Sequence, residues 1–206
     1  MYFLYGKTEV EYLKGKDKIL GAVIDEIGHV DREIDTDLFS SVVHHIIGQQ
    51  ISTKAQATIW QRMKNSFGDV NAAAIAEASI SELQSFGVTF RKAEYIQDFA
   101  KKVLDKEFDL QRIALMPDAD AIKELASLKG IGVWTAEMIL LFCLQRPDIF
   151  SFDDLATLPS SAGCAWCTIT VKLTANCLKS TAGGSALIAA LPVCICGLLR
   201  AGLFPA

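Results

Sequence analysis

The sequence predicts an all-α fold. Two observations carry that expectation: from Lys16 to about Leu144 apolar residues return at helical spacing between short polar breaks, and no stretch alternates with period two for long enough to build a sheet. At 206 residues and 51% hydrophobic composition, the chain holds enough apolar material for one large domain or two small ones sharing a core.

The helices follow in order. The first is expected over 17–28. The second, 37–49, begins after Asp35 or Asp37, either of which can cap it by accepting from first-turn amides. The third, 52–67, follows Ser52 or Thr53 for the same reason and meets Gly68 at its end. A short helix over 79–85 runs into Gly87, and a longer one spans 90–104. A helix over 118–128 is stopped near Gly130, and the last covers 133–144.

The net charge of -4 and a pI near 5.4 argue against a surface coated in basic residues, which phosphate-backbone binding usually demands. The charge is unevenly placed. All 24 acidic residues lie at or before Asp154, while the last 50 positions hold only Lys172, Lys179 and Arg200. Five of the six cysteines (Cys164, Cys167, Cys177, Cys194, Cys196) also fall there, leaving Cys143 in a body that reads as a reduced, cytoplasmic protein. The opening MYFLYGKTEVEYLKGKDK is charged from residue 7 and has no long apolar run, so export is not expected. Pro192 and Arg200 interrupt the apolar stretch Ser185 to Phe204, so no membrane attachment is expected either.

The most informative stretch is LKGIGVWTAEMILLF, Leu128 to Phe142, followed by RPDIFSFDDLA. Two glycines flanking one apolar residue let a chain reverse tightly between helices and leave backbone amides uncovered. Those amides open the next helix, where the dipole favours an anion such as a phosphate. Alone, GIG could simply end one helix and start another. In context, with an Asp pair beginning 16 residues beyond Glu137, the stretch resembles the motif of the helix-hairpin-helix DNA glycosylases, in which an LPGIG-type hairpin precedes an essential Asp. Lys129 stands where that family often has Pro.

The resemblance implies that Lys129, Gly130, Gly132 and Thr135 face DNA and that Asp154 is the catalytic carboxylate, with Asp153 capping the helix that follows. Relatives that also cleave the strand, such as endonuclease III, carry a nucleophilic Lys two positions after the second hairpin glycine. This chain has Trp134 there, and an indole cannot form a Schiff base. Trp134 and Met138, one turn later, are the expected walls of a base pocket, with core packing the plainer use of each.

A second segment, IIGQQIS within Leu38 to Met63, resembles the opening of the glycosylase core in the alkylated-base branch of the family, 3-methyladenine DNA glycosylase II-like. There Gln50 matches the wedge that fills the hole left by an extruded nucleotide, with Gln49 beside it; two exposed amides at a helix end are the plain alternative. FGVTFRKAEYI, Phe86 to Ile96, is similar to the family's GLSFRKA segment, which sets Arg91 and Lys92 toward phosphate or toward the negative end of a helix, unless they are a solvated pair. His44 and His45 lack partners at zinc spacing and read as structural, so no metal site is expected.

The resemblance covers roughly residues 1–156. Beyond Asp154 the texture turns to Ala, Gly, Ser, Thr, Cys and Leu without a stable period. Family members carry a basic helical region there. Read from the third base of each codon, the stretch SAGCAWCTITVKLTANCLKSTAGGSA permits a basic, amphipathic sequence beginning IQRGLRMVYHHRKIDRK, which is similar to that region. A change of reading frame near Ala156 to Pro159 is therefore expected, with 157–206 a tail foreign to the family. CAWC and the remaining cysteines fit neither paired zinc knuckles nor an iron–sulfur cluster.

What the resemblance implies is a monofunctional hydrolase of base excision repair, removing alkylated purines such as 3-methyladenine from double-stranded DNA. It is expected to act as a cytoplasmic monomer and without a cofactor, the hairpin being left open as a seat for a monovalent cation. The competing reading is a DNA-binding protein without catalysis, its pocket left open by the altered tail.

Overall fold

In the computed structural model of the chain the described residues are 2, 5–16, 18–29, 31, 33–146 and 149. Asp153, Asp154 and everything expected of 157–206 lie outside them. The described residues are all-α. They form ten helices: α1 Lys7–Lys16, α2 Lys18–Ile27, α3 Leu38–Gly48, α4 Thr53–Phe67, α5 Ala72–Glu77, α6 Ile80–Ser85, α7 Phe90–Leu104, α8 Leu110–Leu115, α9 Asp118–Ala126 and α10 Val133–Phe142. The extended backbone among them is an isolated bridge between Tyr2 and Glu33.

The described residues divide between two compact units, Asp35–Ile139 and a second that joins those up to Ile34 with those from Leu140 on. In the second of these, α1 packs on α2, Lys14 pairs with Asp25 at 2.7 Å, and the Tyr5 ring stacks on His29 at 4.5 Å. In the first, α7 packs against α3, α5 and α6. Its buried face, Ala93, Ile96, Phe99 and Ala100, recurs at the three-to-four spacing that a core-facing helix requires. Phe39 stacks on Phe99 at 5.0 Å, and Phe108 meets Phe99 edge-on at 5.8 Å. Val42, Val43, Ile46 and Ile47 of α3 are completely buried around them.

Local chemistry sets the ends. Asp37 is the cap of α3, accepting from the Ser40 amide at 2.7 Å, while Asp35 turns instead to His44. Ser52 caps α4 and Thr89 caps α7 in the same way. The three glycines expected as stops all take left-handed backbone, with φ 69° at Gly68, 111° at Gly87 and 84° at Gly130.

Three helices were not expected from periodicity. α1, KTEVEYLKGK, has a thin apolar stripe broken by Gly15. α5, AAAIAE, and α8, LQRIAL, are six residues each, too short to show a period, and each fully buries one side chain, Ile75 and Ile113. Side-chain caps help hold them: Asn71 accepts from the Ala74 amide, and Asp109 from those of Gln111 and Arg112.

Candidate nucleic-acid interface

The hairpin between α9 and α10 is a tight turn pinned from below. Leu128 and Ile131 are buried, and the Ile131 amide donates to the Leu128 carbonyl at 3.1 Å. Gly130 is required there for two reasons. Its φ of 84° disfavours any side chain, and an added Cβ would lie 2.5 Å from the Tyr95 ring. Gly132 differs from the expectation that both glycines serve the reversal: its φ is not positive, and a Cβ there would meet nothing within 4 Å. Its carbonyl accepts from the Ala136 amide at 2.9 Å and so opens α10. The first-turn amides of a helix have no intrahelical acceptor, and Val133 and Trp134, 54% and 44% exposed, leave this end accessible.

The other half of the site is the turn between α3 and α4. Gln49 ends α3, and Gln50 takes φ 58°, left-handed backbone that a side chain adopts only against strain. The Gln49 amide group donates to the Gly130 carbonyl at 2.6 Å, tying this turn to the hairpin. The Lys92 ammonium donates to the carbonyls of Ile47 at 2.8 Å and Gln49 at 2.6 Å. Of the surroundings expected for Lys92, it occupies the negative end of a helix, α3. Burial pulls its pKa below the ordinary lysine value.

Arg91, beside it, is exposed, with its Nε donating to the Tyr95 hydroxyl at 2.7 Å and its guanidinium carbon 5.7 Å from that ring's centre. Lys129 pairs with Asp98 at 3.0 Å, and Lys102 pairs with the same carboxylate at 3.2 Å. Burial alone would raise the Asp98 pKa, but hydrogen bonds from these two lysines and their charges outweigh it and hold the carboxyl below its ordinary value.

Of the residues singled out from sequence, Gln49, Gly130, Lys92 and Lys129 are thus linked by direct contacts or through α7. Gln50 is exposed beside them. Thr135 is buried, and Met138, 4% exposed, lies one turn from the half-exposed Trp134, so the two share a helix face. Asp154 falls outside the described residues. His44 has structural partners, with Asp35 at 3.4 Å and the Trp60 ring at 5.1 Å, and His45 Nδ1 lies 2.8 Å from the Ser41 carbonyl. Burial would raise the Asp35 carboxyl, yet His44, His45 and Ser41 hold it below its ordinary value. Among the described residues no three His, Cys, Asp or Glu side chains form a group able to hold a metal ion.

Sequence reasoning missed Tyr95 and Asp98. The available signal was their spacing, since Lys92, Tyr95 and Asp98 stand three apart on α7 and each neighbours the next along the helix. Each reaches a different part of the site.

These features define a helix-hairpin-helix protein. Residues 43–177, well over half of the chain, match the family described as HhH-GPD superfamily base excision DNA repair protein, and the chain belongs to that family. It is 29% identical over 136 residues to DNA-3-methyladenine glycosylase of Bacillus subtilis, covering 60% of this chain and 45% of that one. It is 25% identical over 157 residues to DNA-3-methyladenine glycosylase 1 of Schizosaccharomyces pombe, covering 73% and 68%. A crystal structure of the DNA-3-methyladenine glycosidase of Bacillus halodurans superposes with a TM-score of 0.76 at 27% identity, covering 98% of this chain and 94% of that one. Against the Bacillus subtilis relatives the chain spans about half of their length. No helix of the described residues is long and apolar enough to cross a membrane.

Proposed function

We propose that the chain is a monofunctional DNA glycosylase that hydrolyses the N-glycosidic bond of alkylated purines in duplex DNA. The observation that carries this reading is the hydrogen bond from Gln49 to Gly130, which joins the turn presenting Gln50 to the hairpin in a protein of a base-excision family. The names of two relatives support a methylated purine as the target, and Trp134 in place of an amine supports simple hydrolysis over strand cleavage.

In this mechanism the amides opening α10 hold a phosphate without reading sequence. Gln50 fills the gap left by the extruded nucleotide, and the base rests against Trp134 and Met138. Asp154, assigned by its place in the motif, stabilises the positive charge growing on the sugar and orients a water. The bond from C1′ to the base nitrogen breaks, its electrons leave with the base, the water oxygen bonds to C1′, and the water's proton passes to the carboxylate or solvent. The positive charge of an alkylated purine has already weakened that bond, so a general acid is dispensable. The enzyme acts as a cytoplasmic monomer and needs no cofactor; the turn's carbonyls could at most seat a monovalent cation. Base release from alkylated duplex DNA, abolished by Asp154→Asn, tests the proposal, and turnover unaffected by that substitution overturns it.

The poverty of basic residues after Asp154 favours a second reading, in which the chain binds DNA without turnover. We propose a frame change near Ala156 to Pro159 as its origin. An uninterrupted coding sequence across that region, with an intact mass of 22.4 kDa, would refute the frame change.

A further inference from the structure

α7 reaches three parts of the site through residues spaced three apart. Lys92 holds the carbonyls that precede Gln50, Tyr95 lies where a Gly130 side chain would stand, and Asp98 pairs with Lys129. The Lys92 contacts are the most specific of these. A helix end leaves its last carbonyls without intrahelical donors, and one ammonium here satisfies two of them, those of Ile47 and Gln49. The next residue, Gln50, is held at φ 58°. Such backbone persists only where its surroundings over-determine it. On one side of Gln50 the Gln49 side chain is anchored to the hairpin, and beneath it the Gln49 carbonyl is anchored to Lys92.

We infer that Lys92 is a positioning residue of base extrusion: its ammonium locks the Ile47–Gln49 backbone so that Gln50 is presented in its strained conformation, and it makes no contact with DNA phosphate. The inference rests on the glycosylase reading for its consequence in turnover, and on geometry alone for its effect on the turn. Arg91, exposed one residue earlier with its Nε on the Tyr95 hydroxyl, is the member of the basic pair whose guanidinium faces solvent and would meet the backbone of DNA.

A phosphate contact and an internal clamp differ in a measurable way. Losing a phosphate contact reduces the slope of log K against log salt by about 0.9 and weakens binding to all sequences alike. Losing the clamp leaves that slope unchanged. The full chain is therefore compared as wild type, Lys92→Met, Arg91→Met, Gln50→Ala and Lys92→Met with Gln50→Ala. Three results are expected of Lys92→Met. Affinity for undamaged duplex and its salt slope stay at wild-type values, whereas Arg91→Met lowers the slope. Single-turnover base release falls about tenfold, and adding Lys92→Met to Gln50→Ala costs nothing further, because the two residues act through one step. Amide exchange at residues 49–52 of the free protein rises about tenfold.

The exchange measurement needs no turnover, so it judges the clamp even where base release is absent. A wild-type chain that releases no base overturns the glycosylase reading, whereas unchanged exchange in Lys92→Met overturns the clamp. A reduced salt slope in Lys92→Met, or losses that multiply with those of Gln50→Ala, overturns it equally. Should Lys92→Met fail to fold, Lys92→Gln, which keeps one neutral donor, carries the same comparisons.

Discussion

The two turns of the site solve one problem in opposite ways. Both connect helices and both contain a residue with left-handed backbone, but the hairpin uses Gly130 at φ 84° and the turn after α3 uses Gln50 at φ 58°. At Gly130 the Tyr95 ring occupies the space a side chain would need. At Gln50 a side chain is kept although glycine would be more comfortable by about 1–2 kcal/mol. The contrast teaches where backbone matters and where side chain does: the hairpin offers amides, and the other turn offers an amide side chain. Lys106 takes the same backbone at φ 59° outside both turns, so it is the place of Gln50 beside the hairpin, and not strain alone, that gives its side chain a use.

The strongest way to sharpen this contrast removes the chemistry and leaves both turns. Asp154→Asn is expected to slow base release by about 100-fold or more, the scale for losing one transition-state charge contact, with duplex affinity unchanged. Single-turnover kinetics beside a binding isotherm would show it, and parallel losses in both would mean the carboxylate serves binding.

Gly130→Ala strikes the hairpin. Its φ alone costs about 1–2 kcal/mol and the Tyr95 ring must also move, so urea denaturation should report at least that loss, together with weaker duplex binding. An alanine variant as stable as wild type would dissolve the distinction between the turns.

Gln50→Gly should do the reverse, raising stability by up to about 1 kcal/mol while slowing base release about tenfold or more, since extrusion costs a few kcal/mol that the wedge helps to offset. A glycine variant with full activity would leave the strain without a purpose.

The smallest effect is electrostatic. The Asp98 carboxyl has a lowered pKa in the folded chain, so its contribution to stability is complete above the ordinary carboxylate value near ~3.9 and is lost as pH falls through the lowered one. Asp98→Asn should therefore cost about 0.5 kcal/mol at pH 7, the scale of half-exposed ion pairs, and the difference should shrink in melts below about pH 3.9. A difference that grew with acid would contradict the pairing with Lys129 and Lys102.

Much of the fold was legible because helix ends are written locally. Ser52 and Gly68 each act within a few residues of their own position, and the apolar spacing of α3, α4 and α7 is a property of each helix alone. α5 and α8 were illegible because two turns cannot display a period, and packing or a cap decides them. The site divides in the same manner. Gly130 and Gln50 stand in motifs, whereas the partners of Lys92 lie 43 and 45 residues away and Tyr95 has no local reason to meet a glycine. Charge pattern allowed Lys92 two partners, phosphate or helix end, and only the folded arrangement of α3 beside α7 distinguishes them.

The bond between Gln49 and Gly130 closes a segment of 81 residues, while the Lys92 contacts close about half as much. Loop entropy rises only slowly with length, so the order of assembly follows the order of synthesis: the α3 end can be fastened once α7 exists, before the hairpin has left the ribosome. A nascent chain would therefore carry a turn fastened on one side only, its Gln49 amide still waiting for an acceptor, and the two turns would be joined in a later step when Gly130 docks.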